Sequence, residues 1–499
     1  MTGERIKDQA TRYAALAIMI AGAFLRLNQY AANRSLWLDE AMLALNIVNR
    51  SFGNLLGPLD YSQGAPIGFL LAQKTMVTAF GGEDFVLRIF PVMASLAALY
   101  LMYRVSFRYV GSIGGLIALG LFSLSGPMIY YASENKQYST DVFFTLLLLF
   151  LAGKCLEKDA GRIDYMFLCA FGTVSIFFSH PALFILSGVG IGLIVNDFVA
   201  KKREQWVWTG WTFLIWFICY IFLYIVSLRT LASNSSLLNY WKNAFMPWPP
   251  WEDLSWFINV FCGFLRDPAG LTNPPFFIFL LVAAGVVSFF YRRKSAGLVL
   301  VVPFAAVLIA SAFRKYPASG RLLLFLGPVI YLLIAESLET VRILLKRVHP
   351  WASWACFVPL VIYLFMHPVA LAAQRVENPE MREHIKPVLA HVQKERSQGD
   401  VVYVYYSSWP AFSFYAGKYG FDENEAVGGI RSREAPGKYI LDIEKHAGKG
   451  RIWVIVSHNC FWCSVNEEKF IIHNLSDRAT LRGVYKAPGA SVYLYDFST

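Results

Sequence analysis

Residues 13–44 read YAALAIMIAGAFLRLNQYAANRSLWLDEAMLA. Positions 13–31 are a nearly unbroken apolar run, and about 20 such residues are what a helix needs to cross the hydrocarbon core of a bilayer. The run lies too far from the start of the chain, and lacks the small-residue cleavage site, expected of a removed signal peptide. A short polar break follows, and then Asp39 and Glu40, adjacent acids set between Trp37–Leu38 and Ala41–Met42. A span followed at once by two carboxylates in apolar surroundings is the signature from which the rest is read. A carboxylate in such a setting holds its proton more tightly and can serve as a general base. The alternative is a helix start whose first-turn acids suit the helix dipole.

Working outward, the same material recurs. The chain has 499 residues, 56% hydrophobic and only 16% charged, against roughly 25% charged in an average soluble protein. That excludes a disordered chain, a coiled coil and an ordinary cytosolic enzyme. Further apolar runs near 86–107, 112–131, 138–153, 165–179, 181–199, 206–228, 276–291, 297–313, 321–338 and 352–373 bring the expected count to about eleven transmembrane helices. No internal repeat and no low-complexity tract is visible.

The net charge is +11. Residues 374–499 carry 16 Lys and Arg against 15 Asp and Glu, so the excess belongs to residues 1–373, with 29 against 19. With the N-terminus in the cytoplasm, short cytoplasmic segments hold Arg5, Lys7 and Arg12; Arg104 and Arg108; Lys154, Lys158 and Arg162; Lys201, Lys202 and Arg203; Arg292, Arg293 and Lys294; and Arg342, Lys346 and Arg347. This is the positive-inside pattern, so the basic excess sets topology and does not call for nucleic acid. An odd number of spans leaves the C-terminus outside.

Two outer loops are long, residues 32–85 and 229–275. In the first, 65–81 (APIGFLLAQKTMVTAFG) is expected to be an interfacial helix, because counting it as a span would put the basic clusters on the wrong side. The second holds WKNAFMPWPPWEDLSWF, an aromatic and Pro-rich run suited to the headgroup level. The chain thus divides into a membrane domain, 1–373, and an extracytoplasmic domain, 374–499. The latter carries an amphipathic helix (ENPEMREHIKPVLAHVQKE) and strands DVVYVYYSS, RIWVIVSH and GASVYLYDF, the mark of a small α/β fold.

Charges near membrane depth are costly and mark function. Besides Asp39 and Glu40, the outer side holds Glu134, Lys136, Tyr138 and Asp141 in ASENKQYSTDVFF. Glu134, Tyr138 and Asp141 are spaced i, i+4, i+7 and share a face if the segment is helical. A buried Asp141–Lys136 structural pair is the alternative. Arg314, Lys315 and Arg321, in FRKYPASGRLLLF, suit an anionic headgroup or plain phospholipid anchoring. Arg88 opens the second span. Five scattered cysteines read as packing residues. Cys460 and Cys463, in SHNCFWC, sit close enough for a disulfide in an oxidising compartment, whereas a metal site with His458 lacks a fourth ligand.

These motifs together resemble the GT-C membrane glycosyltransferases of family 39, the group of the protein O-mannosyltransferases and the transferase that adds aminoarabinose to lipid A. The resemblance covers roughly residues 13–340 and is strongest over 20–150. It rests on Asp39–Glu40 after the first span, the Pro-containing GAPIGFLL before the interfacial helix, Arg88 at the second span, and Lys136 five residues before Asp141. The resemblance implies a sugar donor on a polyprenyl phosphate, the first acid as base on the acceptor hydroxyl, basic residues holding the departing phosphate, and inversion at the anomeric centre. Asp39, Glu40 and Asp141 are then the catalytic candidates. Arg88, Glu134, Lys136, Tyr138 and Arg321 are the substrate-binding ones, in one cavity with the first outer loop. No cofactor is certain, and the acids could hold a divalent cation. The acceptor is a lipid, a glycan or a protein.

Three departures stand out. Many members have His-Pro-Pro where this chain has Gly64-Ala65-Pro66, which leaves Lys74 or Lys136 to take the phosphate. The basic residue before the Asp is usually Arg, a bidentate fork that the point charge of Lys136 does not reproduce. The C-terminal domain does not resemble the carbohydrate-binding trefoil of the eukaryotic members. A flippase of lipid-linked saccharides would share a groove and cations, but it calls for inverted repeats and broken midplane helices.

Overall fold

The computed structural model describes residues 2–200, 203–448, 450–458 and 465–498. Cys460 and Cys463 lie outside the described residues. Each of the eleven expected spans coincides with a helix or with helices joined end to end. Among the described residues, nine helical segments are long and apolar enough to cross a membrane. A tenth is broken, with Ser112–Leu124 and Gly126–Ser133 meeting at 58°. The cause is local: Pro127 opens the second piece and the Ser125 side chain caps it by accepting from Met128 N–H. The remaining expected span, Arg162–Phe178, is a helix of only 17 residues. By length and composition, nine of the expected spans qualify among the described residues, or ten with the bent pair. The interfacial stretch forms the 14-residue helix Ile67–Phe80, about 21 Å long and too short to cross.

The chain forms two compact units that do not follow chain order. One comprises residues 1–31, 51–81 and 88–379; the other comprises 32–50, 82–87 and 380–499. The first is the helical body. Its buried charges show how a polar group is tolerated at such depth. Arg26 is fully buried, but its guanidinium donates to the carbonyls of Gly22, Phe122 and Ser123 and to Ser95 Oγ, and lies over the Phe122 ring. Asp197 accepts from Tyr165 and Thr209, and Glu336 from Ser288 and Arg292. Each of the three makes hydrogen bonds to neighbouring helices, the condition under which a buried charge is tolerated.

Helices Pro275–Arg292 and Gly327–Val348 approach closely at Gly285, where a Cβ would stand 2.0 Å from the Leu333 carbonyl oxygen. Gly285→Ala is expected to lower stability by roughly 1–3 kcal/mol through overpacking against a backbone that cannot give way, read as an earlier thermal unfolding midpoint in detergent.

The second unit is built on a five-stranded sheet in the order β2-β1-β3-β5-β4. Here β1 is Val401–Val404, β2 Val427–Gly428, β3 Arg451–Ser457, β4 Thr480–Ala487 and β5 Ala490–Asp496. The first three run parallel, and β5 is antiparallel to β3 and β4. Central β3 and β5 are almost wholly buried, while edge strand β4 alternates. The chain leaves β1 for β2 on one side and then crosses to β3 on the other. The carboxyl ends of β1 and β3 thus form a switch point, the place where such sheets present functional side chains. His458 sits there, directly after β3.

Candidate active site

In the helical unit, Tyr138, Asp141 and Arg321 come together around Tyr316, and Lys136, two residues before Tyr138, meets Gln63. Helix Tyr138–Cys155 starts after an irregular turn, so Tyr138 and Asp141 lie in its first turn, on one face. Glu134 does not share that face. It is fully buried but extended (φ −101°, ψ 134°), ahead of a tight turn in which Lys136 N–H donates to its carbonyl at 2.7 Å. The turn stops the helix short of Glu134 and overturns the expected i, i+4, i+7 arrangement for that residue.

Lys136 is 4% exposed and its Nζ donates to Gln63 Oε1 at 2.5 Å. Gln63 directly precedes Gly64-Ala65-Pro66, so the buried ammonium sits beside that segment. Next to it, Asn135 Oδ1 accepts from Gln73 Nε2 at 2.7 Å, which ties the turn to the interfacial helix. Lys74 follows on that helix, half-buried.

Arg321 lies in the 3-10 turn Gly320–Leu326. Its Nε donates to Tyr138 Oη at 2.8 Å, and its guanidinium sits 5.9 Å from the centre of the Tyr138 ring. Asp141 is buried beside Ser179. Tyr316 neighbours both Tyr138 and Asp141; burial first, and then these two groups, push its hydroxyl well above the ordinary tyrosine range. Tyr316 in turn donates to the Leu322 carbonyl at 2.7 Å, bracing the Arg321 turn. Arg314 and Lys315 are exposed. Arg88 is buried at the start of helix Ile89–Tyr109.

A cavity of about 710 Å³ opens in the same unit between the loop around Lys242–Trp248, the amphipathic helix Leu254–Arg266 and the turn at Arg314–Gly320. It ends one residue from Arg321. Its walls mix charges of both signs with indoles: Lys242, Arg314, Asp253, Asp267, Trp248 and Trp256.

The acids lie in the second unit. Asp39 and Glu40 occupy the first turn of helix Leu38–Asn49, where the dipole favours negative charge. Asp39 is half-buried and Glu40 fully buried. Glu40 Oε2 pairs with Arg34 Nη1 at 2.7 Å, and both side chains are nearly inaccessible. Arg34 was missed by sequence reasoning, although an Arg six residues before a buried Glu, across a helix start, was visible in NRSLWLDE. Among the described residues, no group of three or more His, Cys, Asp or Glu could hold a metal ion.

A polytopic helical body together with a small mixed-sheet α/β domain is the GT-C fold. Solved structures with that fold match nearly the whole chain. ArnT from Cupriavidus metallidurans in the apo state is 12% identical and aligns over 98% of both chains with a TM-score of 0.54. The same protein bound to undecaprenyl phosphate aligns over 96% of this chain and 97% of that one, at 12% identity and TM-score 0.53. The archaeal oligosaccharyltransferase AglB from Archaeoglobus fulgidus, in complex with an inhibitory peptide and a dolichol-phosphate, is 10% identical. It covers 97% of this chain and 74% of its own, with a TM-score of 0.50. Neither a family model nor a curated protein sequence matches.

Proposed function

We propose that this chain is an inverting glycosyltransferase that moves a sugar from a polyprenyl-phosphate donor to an acceptor hydroxyl on a lipid, glycan or protein. The carrying observation is the near-full-length likeness to ArnT, one of whose structures holds undecaprenyl phosphate. The N-terminus is assigned to the cytoplasm and the sheet-bearing residues 380–499 to the opposite side of the inner membrane.

In the proposed reaction the acceptor oxygen attacks the anomeric carbon from the face opposite the phosphate. The C–O bond to phosphate breaks, and the electron pair leaves with the polyprenyl phosphate. The acceptor proton passes to Asp39. Lys136 neutralises the phosphate as charge develops on it, the kind of preorganised electrostatic help that dominates many enzymes. Arg321 is the second cation. Tyr138, Glu134, Asp141 and Glu40 orient the sugar, and Arg88 supports donor binding. Because the donor carries its own leaving group, no nucleotide site is required.

Lys136→Met keeps the length of the side chain and removes its charge. It is expected to reduce kcat/KM for the donor by roughly 10- to 100-fold, the value of one charge-assisted hydrogen bond, with the acceptor KM unchanged. Equal loss toward both substrates would remove Lys136 from the phosphate. The function itself is tested by mass spectrometry of lipid-linked sugars and envelope glycans from cells with and without the protein. Loss of one glycan modification with accumulation of one lipid-linked sugar is expected; unchanged profiles would count against transfer.

A further inference from the structure

Helix Leu38–Asn49 has an unusual beginning. The first N–H groups of any helix lack intrahelical acceptors and are commonly capped by Ser, Thr, Asp or Asn. Here the cap position is Trp37, which has no acceptor to offer and makes no side-chain cap bond. The acceptor comes instead from about 345 residues away in sequence: Leu38 N–H donates to Glu383 Oε2 at 3.1 Å. The other oxygen of that carboxylate, Oε1, lies 2.6 Å from Nδ1 of His458, at the carboxyl end of β3, and the His458 ring is 6.2 Å from the Trp37 ring. Asp39 follows Leu38 directly.

Glu383 is itself held on both sides. His384 N–H donates to the Pro488 carbonyl at 2.7 Å, in the β4–β5 turn. The next residue, Gly489, has φ +66°, and a Cβ there would meet the Arg382 carbonyl oxygen at 1.7 Å. Only glycine lets the 382–384 backbone come so close. The approach to the helix is fastened by the same segment. Ser35 N–H donates to His384 Nδ1, Lys386 N–H donates to Ser35 Oγ, and Leu36 N–H donates to the Tyr415 hydroxyl. Tyr415 and Lys386 both bind Asp84.

We propose that Glu383, backed by His458, is a positioning residue that caps the acidic helix from the sheet and sets where Asp39 stands. This rests on the reading of Asp39 as the base. A displacement of about 1 Å at a catalytic group costs on the order of 100-fold in rate, so a cap one residue away has leverage that an ordinary surface contact lacks.

The test uses the full-length protein in membranes and two independent ways of breaking one bond. Glu383→Ala removes the acceptor. Leu38→Pro removes the donor, and the first helical position tolerates proline, as does extended Trp37 before it (ψ 172°). With a radiolabelled polyprenyl-phosphate sugar as donor, each variant is expected to lower kcat by roughly 10- to 100-fold with donor KM unchanged. The double variant should be no slower than the worse single, and Glu383→Gln, which keeps a carbonyl acceptor, should recover most of the rate. Hydrogen exchange reads the cap without turnover: amides of Leu38–Ala41 should exchange roughly 5- to 10-fold faster in Glu383→Ala. Unchanged exchange, unchanged kcat, or additive losses in the double variant would overturn the proposal. An active Asp39→Asn protein would remove the base and leave the cap to be judged by exchange alone.

Discussion

Asp39→Asn is expected to slow transfer by about 100- to 10,000-fold, the range for losing a general base, and to leave the fold intact. The two halves of that expectation have separate grounds. Asn has nearly the shape of Asp and is well tolerated at a helix start, and the side chain is only half-buried, so no cavity opens. The buried ion pair of this segment joins Arg34 to the neighbouring Glu40, and it survives the change. What disappears is the carboxylate proposed to take the acceptor's proton. Donor affinity should be nearly unchanged, because the phosphate is assigned to Lys136 and Arg321. The check is single-turnover transfer alongside a thermal unfolding curve. A fall in rate with an unmoved midpoint is the expected pattern.

Arg34→Met is expected to do the reverse and strike stability first. Arg34 is 3% and Glu40 0% exposed at the side chain. Removing the guanidinium breaks a buried ion pair, which typically costs about 3–5 kcal/mol, whereas replacing both partners by apolar residues is often neutral. Arg34→Met alone should therefore show early unfolding and rapid proteolysis, and Arg34→Met with Glu40→Met should regain most of the lost stability. The double variant also separates two roles of Glu40. If it orients sugar, the stable double variant transfers poorly; if it serves only as the partner of Arg34, the double variant works.

These expectations come partly from sequence and partly from the fold, and the division has physical causes. Spans were legible because an apolar run of bilayer length has few other uses, and each expected span falls on a helix. The discrepancy in number comes from Arg162–Phe178, which is short, and from Pro127, which bends its helix. Lys136, Tyr138, Asp141 and Arg321 stood out as charges or polar groups in apolar company. Glu134 was misplaced because helical spacing was extended across a turn that does not continue the helix. Arg26, Asp197 and Glu336 are buried charges as well, but their partners are carbonyls and hydroxyls from other helices, invisible to a linear scan. The assignment of residues 32–50 to the compact unit that contains 380–499 was beyond sequence reading for the same reason: Ser35 and His384 are 349 positions apart. Strands β2 and β4 were missed because one has two residues and the other is a half-exposed edge without a continuous apolar run.

The central claim is that a sugar leaves polyprenyl phosphate on this chain. It is tested most directly by purified protein in proteoliposomes supplied with a radiolabelled polyprenyl-phosphate sugar and extracted envelope acceptors. The account predicts that label moves to an acceptor with inverted anomeric configuration, that polyprenyl phosphate is released in equal amount, and that Asp39→Asn stops both. Label that stays on the lipid and merely changes leaflet would contradict it and favour a flippase.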